Sequence, residues 1–161
     1  MRLTEILAGV HDAALDCVVV GGVAANVHGS PRITGDVDLC YDPSPENRER
    51  LAGLLAGWHA YLRGVEPGLP FTLDARMLAN APVLTLTTDL GDVDVMDRIA
   101  GVGDYPEVRA ASTEQIIQGT PTRVLTLDAL IAAKRAAGRR KDQEALLELE
   151  ALREERRRRG M

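Results

Sequence analysis

Two pairs of carboxylates with the same spacing are the side chains best suited to chemistry. Asp36 and Asp38 flank a single valine, and the same Asp-Val-Asp tripeptide recurs at Asp92 and Asp94. Side chains alternate between the two faces of a β-strand, so the members of each pair share a face. Clustered carboxylates repel one another unless a cation or a shared proton relieves the charge, and Mg²⁺ prefers such oxygen ligands.

A third acid would turn a weak motif into a metal site. An isolated Asp-x-Asp pair arises often by accident and is otherwise a turn followed by an exposed strand face. If the two strands are sheet neighbours, however, Asp94 or Asp92 meets the first pair. Three carboxylates can hold two cations that clamp the attacking and leaving oxygens of a phosphoryl transfer.

A glycine pair precedes the first acids. Gly21 and Gly22 follow the apolar run Cys17–Val20, and a short helix of small residues comes next. Glycines at such a place let backbone N–H groups approach a phosphate, although a tight strand-to-helix turn needs them equally. The loop between this helix and the first acids carries Arg32, a candidate phosphate or base contact or the partner of a nearby acid, and Thr34.

Lys134 is a charged residue on an otherwise apolar helix stripe. It continues the helical spacing of Leu127, Leu130 and Ile131, and Asp142 similarly aligns with leucines of the next helix. A charge on a buried face needs a partner or a ligand. Lys134 therefore either pairs with Asp142, extends its amine to solvent, or lies near a bound triphosphate.

These motifs together resemble the nucleotidyltransferase (polymerase β-like) superfamily. The resemblance rests on Gly21-Gly22, on Arg32-Ile-Thr-Gly-Asp-Val-Asp-Leu39 and on Gly91-Asp-Val-Asp-Val95, and it spans most of residues 3–150. The Arg-x-Thr-x-Asp-x-Asp form, with Lys134 followed by Arg-Arg-Lys-Asp142, is similar to the minimal AbiEii-type enzymes, many of which are toxins of toxin–antitoxin pairs.

The resemblance assigns roles to individual residues. It implies that Asp36, Asp38 and Asp94 bind the metal and act in catalysis, with Asp92 as the competitor of Asp94 for the third position. It further implies a nucleotide site, whose predicted residues are Gly21, Gly22, Arg32, Thr34 and Lys134. The expected cofactor is Mg²⁺, as two ions, with Mn²⁺ as a substitute.

The periodicity of apolar residues predicts an α/β (α+β) fold with a small mixed sheet, helices on one side and a C-terminal helix pair. The predicted helices cover residues 2–15, 23–28, 45–60, 126–137 and 141–157, and the predicted strands are 17–20, 36–41, 83–87 and 93–96. Residues 63–82 and 101–107 read as loops, the first with a short extended piece at Phe71–Leu73, and weak strand signals lie within 112–125.

Length and composition fit a single domain over residues 1–161, ending in a helix with a basic tail. The net charge of −5 and the 3% aromatic content disfavour a general polyanion binder and a base-stacking platform. From Ala132 onward, ten Lys and Arg face six Asp and Glu, so this end could contact nucleic acid or an acidic partner. Cys17 and Cys40 match no zinc pattern, and the lack of a signal peptide or long apolar run predicts a cytoplasmic protein without a membrane partner.

The leading hypothesis is metal-dependent transfer of a nucleoside monophosphate from an NTP to an acceptor hydroxyl with release of pyrophosphate. The alternative is a catalytically silent module that binds a nucleotide or a partner on the same scaffold. The acceptor (tRNA, protein or small molecule), the choice of NTP, a cognate antitoxin and the oligomeric state stay open at this point.

Overall fold

A computed structural model of the chain describes residues 1–66 and 68–160. Its strands are β1 (Cys17–Val20), β2 (Asp36–Tyr41), β3 (Tyr61–Leu62), β4 (Val83–Thr88), β5 (Gly91–Met96), β6 (Arg98–Ile99), β7 (Gly103–Asp104), β8 (Ser112–Ile117) and β9 (Thr120–Leu125). Its helices are α1 (Leu3–Asp12), α2 (Gly21–Val27), α3 (Pro45–Gly57), α4 (Ala75–Asn80), α5 (Tyr105–Ala110), α6 (Leu127–Ala137) and α7 (Gln143–Arg158), with a 3₁₀ turn at Arg140–Asp142.

Seven strands form one mixed sheet in the order β3-β4-β5-β2-β1-β9-β8. The β2–β5 and β1–β9 pairs are parallel, and the remaining neighbours are antiparallel. Strands β6 and β7 form a separate two-stranded ribbon. The predicted mixed α/β fold is confirmed.

The central strands of the sheet bury one apolar face in the core that they share with the helices. Val37 and Leu39 of β2 are fully buried, as are Leu51 and Leu55 of α3, and all belong to one hydrophobic core. Burying such a side chain contributes about 1.5–3 kcal/mol each to folding. The apolar residues of β2 thus fix which way its carboxylates point, since the two sets alternate along the strand.

Helix α6 begins and ends at residues that are typical of helix termini. The Thr126 hydroxyl accepts a hydrogen bond from the Ala129 backbone N–H at 3.3 Å and caps the start of α6. Gly138 ends the helix in the left-handed conformation, with φ of 60°. The 3₁₀ turn then reverses the chain into α7.

Four predictions from the pattern were incomplete or wrong. Helix α2 begins at Gly21 itself, two residues earlier than expected. The region predicted as loop contains α4, which Asp74 caps by accepting from the Met77 N–H, whereas Phe71–Leu73 forms no strand. The stretch 101–107 likewise contains β7 and the start of α5. Helices of six residues are too short to show a helical repeat. Pro67, part of that predicted loop, lies outside the described residues.

In the described ranges, 1–66 and 68–160, every helix is too short or too polar to cross a bilayer.

A buried histidine ties α7 to the sheet. His28, at the end of α2, contacts the Leu125 carbonyl oxygen through Nε2 at 2.7 Å, and its Nδ1 lies 3.0 Å from Arg156 Nη2. Because Arg156 can only donate, Nδ1 must be the acceptor and Nε2 must carry the proton. Burial, reinforced by the Arg156 charge, lowers the pKa of His28, although the hydrogen bond to Leu125 opposes the shift.

This histidine should make stability depend on pH. A lowered pKa in the folded state means that the folded protein binds fewer protons than the unfolded chain. Its stabilisation is therefore complete above the unfolded value near 6.5 and is lost as pH falls through the folded value. We expect the melting temperature to drop between about pH 7.5 and about pH 5.5 more in the wild type than in His28→Gln. Equal drops in the two proteins would contradict this role of His28.

Candidate active site

Two adjacent parallel strands bring the predicted acids together. The β2–β5 register pairs Asp36 with Asp92 and Asp38 with Asp94. One ligand oxygen from each of Asp36, Asp38 and Asp94 can be chosen so that all three lie within 4.8 Å of one another, a spacing that a metal ion could bridge. Of the two acids on β5, the geometry thus groups Asp94 with the first pair, and Asp92 lies outside the group.

Burial and the mutual repulsion of the carboxylates shift the pKa values of Asp36 and Asp38. Burial first, and then the neighbouring Asp36 and Asp94 carboxylates, raise the pKa of Asp38 to about 7. Burial and the Asp94 charge also raise the pKa of Asp36, against the opposing charge of Arg63. A hard divalent cation would relieve the repulsion that contributes to these raised pKa values, because three crowded carboxylates are a suitable donor set for Mg²⁺ or Mn²⁺.

The glycine pair lies directly against these acids. Gly21 has a φ of +62°, and a Cβ built there would lie 2.0 Å from Asp38 Oδ2. A Cβ on Gly22 would lie 2.7 Å from Thr34 Oγ1. The backbone N–H of Gly22 also lowers the pKa of Asp38, against the larger effect of burial. Both positions therefore need glycine so that the first turn of α2 can touch the acid strand and its loop.

A cleft of about 370 Å³ joins most of the predicted site. It extends from the glycine turn to the helix pair α6 and α7, with Leu130 and Leu149 contributing apolar wall. The predicted residues that line it are Gly21, Gly22, Arg32, Thr34, Asp36, Asp38 and Lys134. Their placement on one cleft is observed, and their roles in nucleotide and metal binding stay predictions.

Lys134 both pairs with Asp142 and lines the cleft. Its Nζ lies 3.1 Å from Asp142 Oδ1, and Arg139 Nε lies 2.6 Å from the other carboxylate oxygen. Burial alone would raise the pKa of Asp142, but the hydrogen bonds from the two cations outweigh it and lower the pKa. The trio keeps a net positive charge and lines the same cleft as Asp36 and Asp38.

Arg32 has acidic partners on another element. Its guanidinium donates to Glu148 at 2.8 and 3.1 Å and to Glu144 at 3.4 Å, both on α7. Its carbonyl oxygen accepts a hydrogen bond from the Asn26 side chain. Arg32 therefore links the loop before β2 to α7 across the cleft, and it would have to leave these partners to bind a phosphate.

Arg63 is a site residue that the sequence reasoning missed. It follows β3 directly, and its guanidinium contacts Asp94 at 2.6 Å, Asp92 at 3.3 Å and Asp36 at 3.8 Å. No local pattern marks it, because the segment that it begins has no periodicity. Only the antiparallel pairing of β3 with β4 brings it alongside the acids.

No family model and no curated protein matches the chain. Solved structures do match. TM1012 from Thermotoga maritima, a proposed nucleotidyltransferase, aligns at 18% identity and a TM-score of 0.59, over 91% of this chain and 88% of that one. ANT(2″)-Ia with bound adenylyl-2″-tobramycin aligns at 18% identity and a TM-score of 0.56, over 99% and 97% of the two chains.

The solution structure of ANT(2″)-Ia, an antibiotic-resistance factor, aligns at 18% identity and a TM-score of 0.57, over 99% of this chain and 94% of that one. At this identity the similarity establishes the fold. The chain therefore has the fold of nucleotidyltransferases, as its motifs predicted, and the narrower AbiEii-type resemblance rests on those motifs alone.

Replacing Gly21 should be costly. Gly21→Ala puts a Cβ into the left-handed region and against Asp38, so we expect the free energy of unfolding to fall by at least about 1–2 kcal/mol. Gly53→Ala is the matched control: nothing lies within 4 Å of its Cβ position in the interior of α3. Alanine there should raise stability by about 0.5–1 kcal/mol. Urea unfolding that finds both variants equally stable would refute the close packing at Gly21.

Proposed function

We propose that the protein is a metal-dependent nucleotidyltransferase that transfers a nucleoside monophosphate from an NTP to an acceptor hydroxyl. The observation that carries the proposal is the convergence of Asp36, Asp38 and Asp94 beside the Gly21–Gly22 turn. An acid cluster alone occurs without a metal, and a glycine turn alone is a structural feature. Here the two features touch, since a Cβ built on Gly21 would lie 2.0 Å from Asp38 Oδ2. This close packing, within the nucleotidyltransferase fold, supports a site for a metal-bound triphosphate.

The acids would divide the work between binding and proton transfer. Asp36 and Asp38 would hold two Mg²⁺ ions, and Asp94 would share one of them. When bound, the cations supply charge balance for the triphosphate and for the oxygens that attack and leave. Asp94 would accept the proton of the acceptor hydroxyl while the hydroxyl oxygen forms its bond to the α-phosphorus. The bond from the α-phosphorus to the bridging oxygen breaks, and pyrophosphate leaves.

The remaining lining residues would bind the nucleotide. The Gly21–Gly22 turn would meet phosphate oxygens beside the acids. Lys134, which lines the same cleft, would supply a cation. Thr34 Oγ1 donates to the Asp36 carbonyl oxygen at 3.1 Å and so fixes the loop at the mouth of the cleft. Arg32 would contribute a phosphate contact after release from α7.

Two observations bear on the class of the acceptor. ANT(2″)-Ia with its adenylyl-2″-tobramycin shows that the fold can accommodate an adenylylated small molecule. The AbiEii-type motif instead supports a tRNA or protein acceptor and a toxin that a cognate antitoxin restrains. We include that role in the proposal on the strength of Arg32-Ile-Thr-Gly-Asp-Val-Asp38 and of the Lys134–Asp142 segment.

Loss of one acid should abolish transfer. Changes in outer-shell partners of a metal commonly lower metal affinity or activity about 10- to 100-fold. Asp38→Asn replaces a charged proposed ligand with a neutral amide, so it should lower pyrophosphate release at least about 100-fold. The assay incubates the protein with each labelled NTP, Mg²⁺ and fractionated lysate. Label in the RNA, protein or small-molecule fraction identifies the acceptor.

Asp89→Asn provides the matched control. Asp89 lies at the turn between β4 and β5, is exposed and contacts His59, so this variant should retain wild-type transfer. Asp94→Asn should lose more activity than Asp92→Asn, because only Asp94 belongs to the acid group. NTP binding without pyrophosphate release in the wild type would instead identify a silent binding module and refute the proposed enzyme.

A further inference from the structure

Arg63 is fixed beside the acid cluster by the backbone of its neighbouring strand. Its backbone N–H donates to the Thr85 carbonyl oxygen at 3.0 Å, and its Nη2 donates to the Leu86 carbonyl oxygen at 2.9 Å. The side chain is 30% exposed. The first bond fixes the backbone of Arg63, and the second holds its guanidinium against β4, unlike a surface arginine that samples many rotamers.

The guanidinium makes different contacts with each acid. Nη2 donates to Asp94 Oδ1 at 2.6 Å, a short charge-assisted bond. Nε approaches Asp92 Oδ2 at 3.3 Å, and the other oxygen of Asp92 accepts from the Thr87 hydroxyl at 3.1 Å. Asp36 is farther away, with its Oδ2 3.8 Å from Nη1. The shortest contact of Arg63 is thus with Asp94, which also belongs to the candidate metal-binding group.

We infer that Arg63 is a positioning residue that orients the Asp94 carboxylate for metal binding. The hydrogen bond to Oδ1 sets the rotation of the carboxylate and leaves Oδ2 free of this bond. The Leu86 carbonyl oxygen holds Nη2 from the other side, whereas Asp92 contributes a charge contact at 3.3 Å without a hydrogen bond to Nε. The inference rests on the proposed function to the extent that the acid cluster binds a divalent cation.

A purely electrostatic role makes the opposite prediction. If Arg63 acted only through its charge, Arg63→Lys would resemble the wild type, and Arg63→Gln would bind a cation more tightly because the cluster becomes more negative. If Arg63 acts through geometry, both variants weaken binding. Both hydrogen bonds come from Nη2, whose two N–H directions are fixed in the guanidinium plane. Lysine keeps the charge, but its shorter side chain ends in a freely rotating ammonium that does not fix those directions.

The test measures Mn²⁺ affinity by electron paramagnetic resonance, without nucleotide, on the full chain. We expect the dissociation constant to rise about 10-fold or more in both Arg63→Lys and Arg63→Gln, the range found for partners that orient metal ligands. Arg50→Gln, at an exposed position of α3, removes one arginine charge as the matched control and should bind as the wild type does. Circular dichroism confirms that each variant is folded.

A double-mutant cycle tests whether Arg63 acts through Asp94. Arg63→Gln added to Asp94→Asn should weaken Mn²⁺ binding no further than Asp94→Asn alone. Additive losses, or wild-type affinity in Arg63→Lys, would overturn the inference and leave the proposed function intact. Weakened Mn²⁺ binding in Arg63→Lys without nucleotidyl transfer by the wild type would overturn the proposed function alone. A wild type that binds no Mn²⁺ would overturn both.

Discussion

The parallel pairing of β2 with β5 is the constraint on which the rest of the site depends. This register places Asp36 opposite Asp92 and Asp38 opposite Asp94, so four carboxylates share one face of two neighbouring strands. Such a face is unfavourable by itself, because like charges at this distance repel. The buried valines between the aspartates, including Val37 and Val93, hold the arrangement by fixing the other face in the core.

Surrounding elements relieve the repulsion in two ways. On the β4 side, Arg63 contacts three of the four carboxylates. On the α2 side, the Gly22 N–H lowers the pKa of Asp38, although burial and its acidic neighbours still raise it to about 7 overall. The balance remains negative between these two sides, where a cation would bind. Lys134, held by Asp142, adds positive charge to the same cleft.

The helix pair and the loop before β2 complete the enclosure. Arg32 reaches α7 through Glu148, while Arg156 of the same helix contacts His28 at the end of α2. Helix α7 is thus attached at two points to the segment that leads into the acid strand. The cleft therefore has one rigid wall of sheet and one wall whose position depends on ion pairs and a neutral histidine.

Much of this architecture could be predicted because the signals were local. The β1 and β2 boundaries, the Thr126 cap and the Gly138 stop each follow from adjacent residues, and the structure agrees with them. The placement of Asp94 required only that two strands be neighbours.

What could not be predicted depends on contacts that are distant in sequence. Arg63 lies 31 residues from Asp94 in the sequence, and the strand order β3-β4-β5 brings the two side chains together. Arg32 and Glu148 are separated by 116 residues. Short helices such as α4 have too few residues for a periodic pattern, and the start of α2 at Gly21 depends on the close approach of Asp38.

The central claim is that Asp36, Asp38 and Asp94 together bind the metal of a nucleotide complex. The most direct measurement is a crystal structure with Mn²⁺ and a non-hydrolysable NTP analogue, with the ions located by anomalous scattering. We expect Mn²⁺ to be bound by oxygens of all three aspartates at roughly 2.1 Å, with the triphosphate against the Gly21–Gly22 turn. Mn²⁺ bound elsewhere, or a nucleotide bound outside this cleft, would contradict it.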